Sequence, residues 1–421
     1  MLDTRGMLKG SVVLLGASVL ARGSMLLFRY VAALTLSAED YGRLSLYISL
    51  FLSMSTIASF GVGASLAKLA VRESRDEIET ETLYGNCVLL TSATSLLASI
   101  MFALILKQSA YELLTYQVIA ASCIGFLFWS YFQVSIGFSL AEMKFGTASL
   151  YEAGDGIVKL VLLAIAGLFV TQISLEAYIM AFSLGYVMLS GLALRINART
   201  LGIGIRSNPL RSFDVALLKG IVSHSSALMV VTFINLFYGF IVRSFLAGFS
   251  NSEVAIFDMA LTFYSIPKIV FVSLVRPVVP YASRRAGDKV TVPGVGKIVV
   301  VLAAAMAIAV ALHYSGSVAA LLHLLRLPGY IDSFPVFLVL MGGALFDLIF
   351  GFLSSYFQGI GKVNVICAIT VCVFLLTLPI SFYAVQMFRL YGAAAANVFF
   401  FALLASATAF YAHRRIGFQK V

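Results

Sequence analysis

The chain has 421 residues, of which 61% are apolar and only 11% charged, with a mean hydropathy of +1.00. A soluble domain averages roughly 25% charged and about 45–50% apolar residues, so disorder, fibrous repeats and a soluble globular fold are excluded. The net charge of +10, from 29 Lys and Arg against 19 Asp and Glu, has a simpler source in the basic loops of a membrane protein than in a nucleic-acid surface.

A helical crossing takes about 20 apolar residues. Twelve segments of that kind are predicted, at 11–36, 43–70, 83–106, 116–140, 148–170, 173–194, 216–248, 253–282, 296–313, 331–357, 362–385 and 391–412. The fold class expected is therefore an all-α integral membrane protein with twelve transmembrane helices in two pseudo-symmetric six-helix bundles. No cleavable signal peptide is expected, because the apolar run after Lys9 is too long and no small-residue cleavage site follows it. The twelfth segment stops at His413-Arg414-Arg415. Cys87, Cys123, Cys367 and Cys372 all lie inside apolar runs and read as small hydrophobes, neither disulfides nor metal ligands.

Orientation follows from Lys and Arg. With both termini cytoplasmic, nineteen of them fall on the cytoplasmic side, four (Arg43, Lys107, Arg326, Arg389) fall outside, and six lie within segments. Basic residues collect on the cytoplasmic side of membrane proteins, so this bias predicts cytoplasmic termini. The chain also repeats at about half its length. Leu8-Lys9-Gly10 before the first segment recurs as Leu218-Lys219-Gly220 before the seventh, and Ser37-Ala38-Glu39 recurs loosely as Asn251-Ser252-Glu253. Six crossings form one unit, so the halves share an orientation and are expected to relate by a two-fold axis along the membrane normal. The expected organisation is an N-lobe at 1–195, a cytoplasmic linker at 196–215 and a C-lobe at 216–421.

Charges inside segments need a partner, a wet cavity or a route to the interface, because each costs roughly 2.5–3.5 kcal/mol at the bilayer centre. Arg22 lies near the middle of the first segment and Arg29 seven residues on, so both guanidiniums share one helix face, with Ser11, Ser18, Gly23 and Ser24 on the same helix. Asp155 and Lys159 are four residues apart and can neutralise each other. Arg243 and Asp258 sit at similar distances either side of the turn near residue 250, at one depth. Lys268 follows Pro267, and Arg276 precedes Pro277 and Pro280. Asp347 is the one acid near the centre of its segment, with Arg22 or Lys268 as possible partners. Leaving out the charges at their end positions, segments one, two, seven and eight hold five basic residues (Arg22, Arg29, Arg243, Lys268, Arg276) against one acid (Asp258), a surplus that suits an anion. Arginine favours phosphate, because its planar fork donates two parallel hydrogen bonds.

Other chemistries lack their residues. There is no G-x-x-x-x-G-K-[ST], H-E-x-x-H or C-x-x-C in the sequence. Gly61-Val62-Gly63 lies inside a segment and is a poor nucleotide loop, while His224, His313, His323 and His413 do not converge. No metal, cofactor, nucleic-acid partner or catalytic residue is expected. Work, where needed, would come from an ion gradient or the substrate's own, with Asp155, Asp258, Asp347 and Glu142 as candidate proton or sodium sites and Lys159 and Arg243 as charge partners.

Leu8-Lys9-Gly10-Ser11, then Ala38-Glu39-Asp40-Tyr41-Gly42, then Ser59-Phe60-Gly61-Val62-Gly63-Ala64 resemble the Wzx-type polysaccharide flippases. These belong to the multidrug/oligosaccharidyl-lipid/polysaccharide exporter superfamily. The likeness is strongest over the first eighty residues, and its motifs are loose. The resemblance implies a V-shaped pair of six-helix bundles in the cytoplasmic (inner) membrane. That protein would flip a polyprenyl-pyrophosphate-linked glycan to the outer leaflet by alternating access through a basic central cavity. Arg22 and Arg29 match the positively charged first-helix face of such flippases, and Lys268 and Arg276 match basic residues on helix eight of the related lipid II flippases. The sequence departs from those relatives in lacking an arginine within the second segment and in having twelve segments where they have fourteen. The second departure points away from the cell-wall precursor and toward an O-antigen, capsule or exopolysaccharide unit. Implied partners are the lipid-linked glycan, membrane lipid, H+ or Na+, and glycan-assembly proteins of the same pathway, with a monomer sufficient. The alternatives are a cation-coupled multidrug exporter, whose cationic cargo a basic cavity repels, and a glycan polymerase, for which the outer loops are short: the longest, at about 314–330, offers only His323 and Arg326 as polar chemistry.

Overall fold

The computed structural model describes residues 4–63, 66, 77–108, 116–141, 144–169, 173–200, 213–275 and 295–416. Among them are thirteen α-helices and no strand: α1 (Thr4–Thr35), α2 (Ala38–Ser59), α3 (Glu77–Gln108), α4 (Tyr116–Ala141), α5 (Phe145–Phe169), α6 (Leu175–Thr200), α7 (Val215–Ala247), α8 (Asn251–Val275), α9 (Val295–Tyr314), α10 (Ser317–Leu324), α11 (Ser333–Gly342), α12 (Ala344–Gly359) and α13 (Val363–Ile416). A helix satisfies its backbone within itself, which a bilayer demands. The short polar side chains follow the same rule. Ser53, Ser122, Ser130, Thr377 and Ser381 each donate to a carbonyl four residues back. Helix starts are marked by side-chain caps. Ser37 Oγ accepts from Asp40 N–H at 3.1 Å before α2, and Asp214 Oδ1 accepts from Ala216 and Leu217 N–H before α7.

Among the described residues, five helices are long and apolar enough to cross a membrane, and two bent pairs pass the same test together. Helix α13 is two of the predicted segments in one. At 1.5 Å per residue its 54 residues would run about 80 Å if straight, far beyond a core of about 30 Å. It reverses at Arg389, whose φ of 47° and ψ of −118° leave the helical region. Tyr238 proves the reversal, because its ring lies 6.5 Å from Phe374 and 4.0 Å from Phe400, residues 26 positions apart. The two arms fall where the eleventh and twelfth segments are predicted.

Three expectations are corrected. The second segment, expected continuous over 43–70, breaks after Ser59, where Phe60 (φ 49°) and Gly61 (φ 65°) are left-handed. The tenth, expected unbroken over 331–357, bends by 47° between α11 and α12 at Gly342-Gly343. A Cβ on Gly343 would lie 2.8 Å from Val398 Cγ2, so α13 closes over the break. The expected outer loop at 314–330 holds the short helix α10, turned 79° from α9 after Gly316 (φ 73°).

The chain packs as two compact units, Met1–Tyr30 with Tyr47–Phe237, and Val31–Leu46 with Tyr238–Val421. The first centres on Phe51 of α2. It stacks on Phe126 of α4 at 4.4 Å and Tyr186 of α6 at 5.8 Å, and meets Phe102 of α3 edge-on. Aromatic pairs of this kind add about 0.5–1.5 kcal/mol each beyond burial. Tyr47, one turn earlier, shares its hydroxyl with Ser122 (2.6 Å) and Ser183 (2.7 Å). Beyond the α2 break, a Cβ on Gly137 would meet Gly63 O at 2.6 Å, and one on Gly61 would meet Ser225 O at 3.0 Å. Gly61-Val62-Gly63 is thus a crossing point where backbones touch, consistent with small residues at membrane helix interfaces. In the second unit, α8, α11, α12 and α13 pack together, and Gly42 at the start of α2 lies against the backbone of Asn251 at the start of α8.

Candidate functional site

Helix α1 divides into faces. Ala21, Ser24 and Met25 pack on Gly156 of α5, where a Cβ would lie 2.9 Å from Ala21 O. Phe28 is buried edge-on to Tyr178 of α6 at 5.6 Å. Val19, Leu20, Leu27 and Leu34 form an exposed apolar stripe suited to lipid. Arg22 and Arg29 lie on neither face. Both are half-buried, on the flank between the packed side and the Leu stripe. A helix repeats its facing every seven residues, so the two guanidiniums project from one side two turns apart.

Six further charges within segments, among the described residues, form three ion pairs of different character. Lys159 of α5 lies 2.7 Å from Asp155. Its ammonium donates to Tyr186 Oη at 2.6 Å and sits over the rings of Phe182 and Tyr186 at 4.2 and 4.1 Å. Gly185 makes the room, since a Cβ there would lie 2.9 Å from Lys159 Cγ. Here the cation is sealed at 1% exposure while the acid is open at 30%.

Arg243 of α7 and Asp258 of α8 are buried together, at 10% and 2%. Arg243 Nη2 donates to Asp258 Oδ1 at 2.8 Å, Nε to Ser45 Oγ at 3.2 Å and Nη1 to Gly239 O at 3.0 Å. Tyr41 Oη donates to Asp258 Oδ2 at 3.1 Å. The guanidinium is engaged on all three nitrogens, so this is a closed structural knot joining α2, α7 and α8.

The third pair joins Lys268 of α8 to Asp347 of α12 at 2.6 Å. Tyr264, one turn before Lys268, donates to the same carboxylate oxygen at 3.2 Å, and Phe401 of α13 lies 5.4 Å from the ammonium. This pair is open on the cation side, at 34% for Lys268 and 13% for Asp347. Lys268, one of the partners open to Asp347 from sequence, is at ion-pair distance. Arg276, Glu142, Pro277 and Pro280 lie outside the described residues.

Sequence reasoning missed the neutral members of these clusters: Tyr41, Ser45, Phe182, Tyr186 and Tyr264. Tyr264 carried a readable signal, being four residues from Lys268 on one helix face. Tyr186 carried none, since its relation to Lys159 exists only once α5 and α6 pack. Arg389, assigned to an outer turn, lies 3.1 Å from Glu253 and 5.0 Å from the Phe249 ring.

Residues 7–285 match the family model described as polysaccharide biosynthesis protein. No curated protein matches the sequence. Among solved structures, the chain is similar to a multidrug-resistance MATE-family transporter of the MOP superfamily in an inward-facing conformation, at 16% identity, a TM-score of 0.68, and coverage of 96% of this chain and 98% of that one. It is similar to a MOP-superfamily transporter from Pyrococcus furiosus at 15% identity and a TM-score of 0.67, covering 97% and 95%. A Vibrio cholerae MATE transporter follows at 12% identity and a TM-score of 0.61, covering 99% and 98%. At such identities the likeness establishes the fold: all-α, with twelve transmembrane helices in two bundles.

Proposed function

The chain belongs to the polysaccharide biosynthesis protein family, and on that premise we propose that it flips a polyprenyl-pyrophosphate-linked oligosaccharide from the cytoplasmic to the outer leaflet of the inner membrane. Its cargo is an O-antigen, capsule or exopolysaccharide repeat unit. The observation that carries this reading is the placement of Arg22 and Arg29, half-buried on one flank of α1 and away from its lipid-suited stripe. Two arginines on one helix face, two turns apart, can each offer a fork to one phosphate of a pyrophosphate, and an arginine keeps its charge in a low-dielectric site. In the other packing unit, Lys268 is a further candidate cation, open on one side, and Arg276 follows it in the sequence. The prenyl tail stays in lipid while the protein exposes the bound head group first to one side and then to the other.

The sequence carries no nucleotide-binding loop, so an ion gradient drives the cycle. Asp155 is the acid best placed to bind the ion, because it is open while its partner Lys159 is sealed. The second reading, a cation-coupled multidrug exporter, is supported by the MATE neighbours. Against it stand the basic residues of α1 and α8, which repel cationic cargo. The Pyrococcus furiosus neighbour is itself described as having a binding pocket of reverse polarity that suggests a different function.

The test is mass spectrometry of lipid-linked glycans in cells depleted of the protein. One polyprenyl-pyrophosphate oligosaccharide should accumulate, and re-expression of wild type should clear it. Arg22→Ala at normal expression should leave most of it in place. An unchanged pool with new sensitivity to cationic drugs would assign the chain to drug export, and full clearance by Arg22→Ala would remove Arg22 from the site.

A further inference from the structure

The geometry points to Asp347 as an exchangeable counter-ion that holds Lys268 until the pyrophosphate displaces it, so that substrate binding releases α12 from α8. The inference rests on the proposed anionic substrate and adds a competitor built into the chain. Its ground is the contrast among the three intramembrane pairs. In the α5 pair the cation is sealed, and in the α7–α8 knot both partners are sealed. Only at Lys268–Asp347, among these three, is the cation open to any extent, at 34% against 1% for Lys159 and 10% for Arg243. An incoming anion can reach that ammonium without first dismantling a core.

The ammonium is also under-committed. It has three N–H donors, and its contacts among the described residues are one carboxylate oxygen at 2.6 Å and the rings of Tyr264 and Phe401 at 5.8 and 5.4 Å. A phosphate can approach beside Asp347 and then replace it, and doubly charged phosphate out-competes a single carboxylate for one cation. The displaced acid keeps the Tyr264 hydroxyl as a donor, so the exchange does not strand it. Of the helices packed against α12, namely α8, α11 and α13, α8 supplies both polar groups facing the carboxylate, Tyr264 and Lys268.

Position makes the exchange mechanical. Asp347 is in the first turn of α12, just past the 47° bend at Gly342-Gly343. Lys268 directly follows Pro267 inside α8, where proline removes one helical hydrogen bond. The pair therefore ties together two helices at their weakest backbone points, and parting it lets the start of α12 swing about the glycine pair.

The experiment measures binding of farnesyl pyrophosphate to the full-length protein in nanodiscs, for wild type, Asp347→Asn, Lys268→Met, the double variant and Arg22→Ala. Removing the internal competitor should tighten binding by Asp347→Asn about tenfold and slow flipping through slower release. Lys268→Met should weaken binding, and adding it to Asp347→Asn should abolish the gain. Tyr264→Phe takes away the donor that the displaced carboxylate keeps, so it should weaken binding about twofold without touching a charge, and serves where Asp347→Asn folds poorly. Equal or weaker binding by Asp347→Asn, or equal or tighter binding by Tyr264→Phe where Asp347→Asn does not fold, with Arg22→Ala still impaired, would overturn the counter-ion role alone. No binding by wild type would overturn the anionic substrate and this inference together.

Discussion

At the scale of single residues, the knot around Arg243 shows how the membrane tolerates a charge. The guanidinium is desolvated, and each of its three nitrogens has an acceptor. Breaking a buried pair from one side costs about 3–5 kcal/mol, whereas removing both charges is often close to neutral. Arg243→Met should therefore lower the thermal unfolding midpoint in detergent sharply, and Arg243→Met with Asp258→Leu should recover most of the loss. A double variant no better than the single would show that the pair is not the unit of stability. The same knot marks the limit of reading a site from sequence. Arg243 and Asp258 stand at matching distances from one turn, which counting residues reveals. Tyr41 is 217 positions from Asp258, and only tertiary packing brings its hydroxyl there. Tyr186 and Lys159 differ in the same way from Asp155 and Lys159: local pairs follow from helix period, and cross-helix pairs do not.

At the scale of elements, hydropathy finds the segments and is blind to their direction. The second and tenth segments read as continuous because bilayer-facing composition does not change across a bend. What breaks them is backbone: left-handed Phe60 and Gly61, and the Gly342-Gly343 pair closed over by Val398. The α13 hairpin was legible because Arg389-Leu390 interrupts the apolar run, while α10 was not, since eight residues of mixed character look like loop. Glycines with backbone neighbours are the points where these elements depend on single atoms. In Gly137→Ala the new Cβ would press on Gly63 O at 2.6 Å and Gly63 Cα at 2.7 Å, and neither can rotate aside. Folded yield and unfolding midpoint should both fall, an overpacking cost of about 1–3 kcal/mol. Gly191→Ala is the control: its Cβ meets nothing within 4 Å inside α6, so it should be neutral or stabilising by up to about 1 kcal/mol. Equal behaviour of the two variants would show that the α2–α4 crossing is not close-packed.

At the scale of the whole molecule, class and fold were legible because they depend on sums: apolar fraction, segment number and a half-length repeat. The packing units were less so. Val31–Leu46 packs with the later part of the chain and 215–237 with the earlier part, and a linear repeat carries no record of where long helices lean. Orientation also rests on a sum, nineteen Lys and Arg against four, and it yields a prediction that needs no knowledge of cargo. Helix α7 has 33 residues, about 50 Å at 1.5 Å each, so its first turns extend past a core of about 30 Å. Gly220 lies there, and Gly329 lies between α10 and α11, at the opposite end if the termini are cytoplasmic. A Cβ at either position meets nothing within 4 Å, so a cysteine is accommodated at both. An impermeant maleimide applied to intact spheroplasts should label Gly329→Cys at once and Gly220→Cys only after permeabilisation. Wild type should stay blank, because the native cysteines lie within apolar membrane-spanning helices, where a water-soluble, impermeant reagent does not enter. The reverse labelling order would place the nineteen basic residues outside, and with them the end of the helix from which a cytoplasmic lipid-linked sugar must be taken.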